Sequence, residues 1–207
     1  MMEQRTAEWY NARLGKFTAS EIHKLMGIKG LGETGKSYAF DKAVENLFGE
    51  VKENYISYDM ERGKNLEPFA FAKFKELKEL AFLEVEKCGF FSSNFHGASP
   101  DGLVSDDAIL EIKCPNATTF FKLVVDSEID KKYYYQMQHQ MMVTGRSKAY
   151  FFNYYIFDGL EYWHEIVIER DVEVCNAIMG RILEANEIKQ DYINKLKLNK
   201  QWKSQEK

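Results

Sequence analysis

Among the ionisable residues of the segment SPDGLVSDDAILEIKCP, residues 99–115, three have types and spacing that could do chemistry together. Asp101 lies in a Pro-Asp-Gly turn, and Glu111 and Lys113 lie in the apolar stretch AILEIK. Residues two apart in a β-strand share a face, with roughly 7 Å between their Cα atoms, so Glu111 and Lys113 point the same way. A hairpin through LVSDDA would fold Asp101 back beside Glu111.

Two carboxylates held side by side repel each other, and a hard divalent cation offsets that repulsion. Ligation by oxygen alone suits Mg²⁺, with Mn²⁺ as a substitute. Such an ion can lower the pKa of a water molecule and neutralise a phosphate under attack, which indicates phosphodiester hydrolysis. The alternative interpretation is an ordinary Asp-Gly turn followed by a solvated Glu-Lys pair on a strand.

Other elements of the fold must position these three residues. Over the first eighty residues the apolar spacing predicts helices. Thr18 and Glu21 have the spacing of a capping box, and Pro68 is expected in the first turn of its helix. The predicted helices are TAEWYNARL (6–14), TASEIHKLM (18–26), about 37–47 and about 66–80, with a glycine-rich loop at 27–36.

From Phe82 to Pro115 the apolar period shifts toward two, which predicts a meander of short antiparallel strands. A helix is predicted over Tyr133–Thr144. The segments KAYFFNYYIF and EYWHEIVIE are rich in aromatic and β-branched residues and are separated by DGL, which predicts a hairpin. A long helix is predicted over about Val172–Leu198, before a lysine-rich tail. The fold class expected is α/β, with a central mixed β-sheet flanked by helices.

Composition sets the outer limits. The chain has 207 residues, of which 45% are hydrophobic, so one sizeable ordered domain is expected. Three cysteines without a C-x-x-C pair do not indicate a zinc or iron–sulfur site. The charged N-terminal segment and the lack of a run of about 18 apolar residues favour a cytoplasmic protein without a membrane span. A formal net charge of −4 leaves nucleic-acid binding open.

The segments PDG and LEIKCP resemble the P-D…(D/E)-x-K signature of restriction-like nucleases. More narrowly, the chain resembles the family of phage lambda exonuclease and the YqaJ-type viral recombinases. Segments similar to that family follow in its order: WYNARLGKFTASEIHKLM (9–26), GKNLEPFAFAKF (63–74), YYYQMQHQMMVTG (133–145), YFFNY (150–154) and HEIVIERD (164–171).

The resemblance implies a restriction-endonuclease-like core in a single nuclease domain, residues 1–207. The N-terminal helices, 1–80, would form part of a DNA-binding cleft. The catalytic core would cover about 60–170, followed by a C-terminal helix and basic tail at 171–207.

The resemblance also implies a metal site. Asp101, Glu111 and the backbone carbonyl of Ile112 would bind the metal, and Lys113 would be the catalytic lysine. Glu67 would be a further metal or water ligand, although a carboxylate near a helix N-terminus is also favoured by the helix dipole.

Two glutamines, Gln136 and Gln138, match the family's Q-x-Q helix. Residues two apart on a helix diverge by about 200°, so the two side chains are not expected to do the same job. We expect Gln136 at the active site. Gln138 is either a DNA contact or a polar contact to backbone.

Arg13 and Ser20 match family positions that bind a terminal 5′-phosphate, and a guanidinium suits phosphate because it bonds two oxygens at once. The alternatives are a surface cation for Arg13 and a cap residue for Ser20. Trp9 is expected in core packing or beside the DNA, and Lys29 and Lys36 are candidate DNA contacts.

The function implied is a metal-dependent 5′→3′ exonuclease that acts on double-stranded DNA ends and leaves 3′ overhangs for phage-type recombination. Its implied partners are a single-strand annealing protein and further copies of itself in a trimeric ring, in a phage or prophage setting. The alternatives are an endonuclease of the same fold and an inactive DNA-binding relative. The letters GLGETGKS (30–37) also fit a phosphate-binding loop, but an ATPase would need a strand before them.

Overall fold

The computed structural model describes residues 3–49 and 58–198, so the predicted basic tail beyond residue 198 lies outside the described residues. The helices are α1 (Ala7–Arg13), a 3₁₀ helix (Ala19–Leu25), α2 (Gly32–Phe48), α3 (Tyr58–Glu79), α4 (Ala117–Asp126), α5 (Lys131–Thr144) and α6 (Val172–Leu198). The strands are β1 (Phe17–Thr18), β2 (Val85–Glu86), β3 (Phe91–Ser92), β4 (His96–Ala98), β5 (Gly102–Val104), β6 (Ala108–Lys113), β7 (Lys148–Phe157) and β8 (Leu160–Glu169).

A five-stranded mixed sheet, in the order β2-β5-β6-β7-β8, carries the predicted site. All neighbours are antiparallel except β6 and β7, which are parallel. Parallel strands need a long crossover connection, and α4 and α5 form it here. The predicted class, a mixed sheet flanked by helices, is confirmed.

Strand β6 faces a different helix on each side. Leu110 and Ile112 pack in the cluster that contains Phe74 of α3, whereas Ile109 packs with Met137 of α5. The alternation of the strand therefore places Glu111 and Lys113 on the α5 side, as the sequence predicts. Full burial of each large apolar side chain contributes about 1.5–3 kcal/mol, so both faces hold β6 in place.

The predicted single meander is wrong in one respect. Strands β3 and β4 leave the main sheet and form a second sheet with β1, in the order β1-β4-β3. Each of these strands has only two or three residues. A segment that short cannot show which sheet it joins through its apolar period.

The N-terminal helices also differ from prediction. Thr18 occupies the N-cap position, but its side chain makes no capping hydrogen bond and the helix is 3₁₀. Helix α2 begins at Gly32, so Lys36 lies on a helix rather than in a loop. The letters GLGETGKS follow a 3₁₀ helix, not a strand, and the ATPase alternative is therefore wrong.

Helix α3 covers Tyr58–Glu79, so helix is already present eight residues before the predicted start, and Pro68 lies inside the helix rather than in its first turn. Proline has no N–H, so the Lys64 carbonyl lacks its helical donor at this point. Glu67 is likewise a mid-helix residue. The interpretation of Glu67 as an N-terminal helix carboxylate is therefore wrong.

The C-terminal third agrees with the sequence more closely. β7 and β8 form the predicted hairpin around Asp158 and Gly159, both of which have positive φ, as a two-residue type I′ turn requires. Helix α6 spans the predicted residues. Within the two described ranges, no helix is both long enough and apolar enough to span a lipid bilayer.

Candidate active site

The β5–β6 hairpin brings Asp101 back to the strand that carries Glu111. The Asp101 N–H donates to the Leu110 carbonyl at 2.9 Å, and its Oδ2 accepts from the Ile112 N–H at 2.6 Å. Burial and the neighbouring Glu111 carboxylate raise the pKa of Asp101 well above its ordinary value. Two acidic groups are therefore held close together with too little compensating charge.

Glu111 is only 1% exposed, and three donors bind its carboxylate. Lys113 and the Gln136 amide both donate to Oε1, the amide at 2.6 Å. Gln140 donates to Oε2, also at 2.6 Å. Burial lowers the pKa of Lys113, but the Glu111 and Asp101 carboxylates outweigh it, so the net shift is upward and the lysine is an ammonium ion.

Gln140 was not among the predicted site residues. It lies four residues after Gln136, and this spacing places both side chains on one face of α5. The i,i+4 spacing of the two glutamines in QMQHQ was the available signal, but polar residues at that spacing are common on helices.

Gln138 lies on another side of α5 and is fully buried. Its Nε2 donates to the Glu169 carbonyl at 2.9 Å, and its Oε1 accepts from the Asp171 N–H at 2.8 Å. These bonds join α5 to the connection between β8 and α6. The prediction that Gln138 contacts DNA is wrong, because both the N–H and the oxygen of its amide are hydrogen-bonded to backbone groups.

Glu67 lines the same cavity as Asp101 and Glu111. Its Oε2 accepts from Arg5 Nη2 at 2.5 Å. In the parts of the chain that the structure describes, no group of three or more histidine, cysteine or acidic side chains is close enough to hold a metal ion. The groups that fit a hard divalent cation are therefore the adjacent carboxylates of Asp101 and Glu111, together with a backbone oxygen. Glu67 is instead paired with Arg5.

Arg13 ends α1 beside this site. Its guanidinium lies 3.9 Å from the centroid of the Trp9 ring and 5.6 Å from that of Phe90. Burial lowers the pKa of Arg13 from its ordinary value. The expected core role of Trp9 is wrong, because α1 has no buried residue and the indole Nε1 donates to Ser99 Oγ at 2.9 Å.

One cavity brings most of the predicted residues together. It is lined by Arg13 and Ser20 from the N-terminal elements, by Glu67 from α3, and by the four residues Asp101, Glu111, Lys113 and Gln136. Ser20 is exposed at its rim. Lys29 and Lys36 are also exposed, and Lys36 pairs with Glu33 at 3.0 Å; neither lysine is among the residues that line this cavity.

Paired carboxylates, an adjacent lysine and an arginine within one cavity of a mixed α/β sheet are typical of a nuclease site. The YqaJ-like viral recombinase domain family matches residues 8–147, and the chain belongs to that family. The predicted family is thus confirmed.

Solved structures extend the likeness over almost the whole chain. An alkaline exonuclease from Laribacter hongkongensis, LHK-Exo, is 32% identical with a TM-score of 0.83, over 93% of this chain and 96% of its own. The same enzyme in complex with dAMP is 31% identical over the same shares, with the same TM-score. Family and structure together identify the chain as an exonuclease.

A phage-related exonuclease from Haemophilus somnus 129PT shares the fold. It is 20% identical with a TM-score of 0.73, over 87% of this chain and 96% of its own. A comparison with curated proteins gives no match.

Proposed function

We propose that the chain is a divalent-metal-dependent 5′→3′ exonuclease that acts on double-stranded DNA ends and leaves 3′ single-stranded overhangs. The observation that supports this proposal is the single cavity that joins Arg13 and Ser20 to Asp101, Glu111 and Lys113. A group that binds a terminal phosphate beside the hydrolytic residues would select the bond next to a strand end.

Asp101, Glu111 and the Ile112 carbonyl would hold the cation, which we take to be Mg²⁺, with Mn²⁺ as a substitute. Glu67, which is paired with Arg5, would exchange that ion pair for a bond to the metal or to its water and become a further ligand. The cation would lower the pKa of the attacking water and neutralise charge on the scissile phosphate.

The remaining side chains have separate tasks. Lys113, an ammonium ion beside Glu111, would stabilise the negative charge that develops on the phosphate. Gln136 would orient Glu111 through its 2.6 Å hydrogen bond. Arg13 would bind the terminal 5′-phosphate through two N–H groups, and the Ser20 hydroxyl would add a third donor.

The setting proposed is phage-type recombination in the cytoplasm of a bacterial host. The overhang would pass to a single-strand annealing protein, and the subunits would form a trimeric ring around the DNA. LHK-Exo has been crystallised with dAMP, which supports release of nucleoside monophosphates by this chain as well.

The test uses linear duplexes labelled at the 5′ or the 3′ end of one strand, with closed circular plasmid as the control. With Mg²⁺, the 5′ label should be released first as a mononucleotide while the 3′-labelled strand shortens, and chelation should stop both. The circle should survive. Lys113→Ala should lose turnover by orders of magnitude and still bind DNA.

Three results would contradict this proposal. Cleavage of the closed circle would favour an endonuclease of the same fold. Earlier release of the 3′ label would reverse the polarity. Undiminished turnover of Lys113→Ala would show that Lys113 has no catalytic role.

A further inference from the structure

We infer that Gln140 is a positioning residue that fixes the Glu111 carboxylate for the divalent cation. The inference rests on the metal dependence proposed above. Gln140 adds a second amide, one helical turn beyond Gln136, to the group that holds Glu111.

The first support is the position of the amide. Gln140 is fully buried, and its Nε2 reaches Oε2 of Glu111 at 2.6 Å. Its own Oε1 is buried without a hydrogen-bond partner among the described residues. An unpaired buried oxygen is unfavourable, and an apolar side chain of the same length would avoid it. Packing alone therefore does not account for an amide at this place.

The second support comes from the lone pairs of Glu111. A carboxylate accepts about four hydrogen bonds or ligands, two on each oxygen. Lys113 and Gln136 use both positions on Oε1, and Gln140 uses one on Oε2. The position left for a cation is thus on Oε2.

The third support is the freedom that the two amides remove. Rotation about the terminal bond of a glutamate side chain is soft, so one donor does not fix the plane of the carboxylate. Gln136 and Gln140 bond opposite oxygens, and together they set that plane. Gln140 therefore directs the free lone pair of Oε2 without touching substrate.

The test is Gln140→Met, which keeps the length of the side chain and removes the donor. Mn²⁺ binding is measured by calorimetry on the DNA-free full chain. The dissociation constant should rise about ten- to a hundredfold, as is usual when a hydrogen-bond partner of a metal ligand is removed. Half-maximal hydrolysis should need correspondingly more Mg²⁺, while KM for DNA at saturating metal stays within about twofold.

The matched control is Gln138→Met, the same change two residues away on the same helix. Its amide bonds the Glu169 carbonyl, the Asp171 N–H and the Cys175 thiol, and none of these groups belongs to the proposed metal site. This variant should therefore melt earlier and bind Mn²⁺ like the wild type. Gln140→Asn, which keeps the amide but withdraws it by one methylene, should weaken binding as Gln140→Met does, and it serves if the methionine variant does not fold.

Wild-type affinity for Mn²⁺ in a folded Gln140 variant would overturn the inference, because the side chain would then only fill space. Failure of the wild-type chain itself to bind Mn²⁺ or Mg²⁺ would overturn the metal dependence, and with it the role of Gln140. The two failures are distinguished by the wild-type titration.

Discussion

The side chain of Arg13, the proposed 5′-phosphate ligand, is held by an aromatic ring. Its guanidinium carbon lies over the Trp9 ring, 3.9 Å from the ring centroid, and the indole in turn donates to Ser99, two residues before Asp101. Stacking uses the face of a guanidinium and leaves its N–H edge for bidentate bonds to phosphate oxygens. The Trp9 ring therefore orients Arg13 toward the cavity that Asp101 also lines.

Arg13→Ala should remove the preference for a phosphorylated end. Wild type should degrade a 5′-phosphorylated duplex faster than a 5′-hydroxyl duplex, because the phosphate adds up to two charges and three acceptor oxygens. Charged hydrogen bonds contribute about 1.5–3 kcal/mol, so the preference should shrink roughly ten- to a hundredfold. Initial rates on the two duplexes measure it.

Arg181→Ala is the control for that experiment. Arg181 pairs with Glu184 on α6 at 2.9 Å, and its replacement should leave the preference intact. Equal slowing of both duplexes by Arg13→Ala would assign Arg13 to the fold or to general DNA binding instead.

At the scale of elements, the long periodic segments were predictable and the short ones were not. Helix α6 has 27 residues, and β7 and β8 have ten residues each. Segments of this length show their apolar period clearly in the sequence. Strands β1, β3 and β4 have two or three residues each, and only tertiary contacts define them.

Helix α4 was missed for a different reason. Its sequence, ATTFFKLVVD, is rich in Thr, Val and Phe, which have weak helix propensity. Two contacts stabilise the helix nonetheless. The Asn116 side chain caps it by accepting from the Thr119 N–H, and the Phe120 side chain is buried in the core. In the site, Gln140 was missed because its partner Glu111 lies 29 residues away and only folding brings them together.

Pro68→Ala should stabilise the protein. Pro68 is exposed in the interior of α3, where proline removes one hydrogen bond and costs up to about 3 kcal/mol relative to alanine. The alanine N–H can bond the Lys64 carbonyl, so the free energy of unfolding in urea should rise by about 1–3 kcal/mol. Ala72→Ser, another change on α3, is the control and should not raise it. An unchanged or lower value for Pro68→Ala would mean that the helix is built around the proline.

At the scale of the molecule, two buried bases make stability depend on pH. His139 hydrogen-bonds His96 at 3.0 Å, and burial lowers the pKa of His139 to about 3. Lys189 donates to the Gly15 carbonyl at 3.0 Å, and burial lowers its pKa to about 8. In the unfolded chain these groups titrate near about 6.5 and 10.4.

In both cases the unfolded chain binds more protons between the two pKa values, so stability rises with pH across that window. The lower window runs from about pH 3 to 6.5 and the upper one from about pH 8 to 10.4. Each group contributes at most about 1.4 kcal/mol per pH unit. Denaturant unfolding of wild type and Lys189→Met across pH 7 to 10.5 should show a shallower rise in the variant. Parallel curves would show that Lys189 titrates in the folded chain as it does in the unfolded one.

The parallel pairing of β6 with β7 also determines where the chain can be shortened. The family match ends at residue 147, and β7 begins at Lys148. A fragment cut there would retain every side chain of the proposed active site, yet it would lose the strand that pairs with all six residues of β6. Strand β6 would become an exposed edge with unpaired N–H and C=O groups and bare apolar flanks, which is a template for aggregation. A fragment that works as a nuclease should therefore need to extend past the last of the proposed active-site residues.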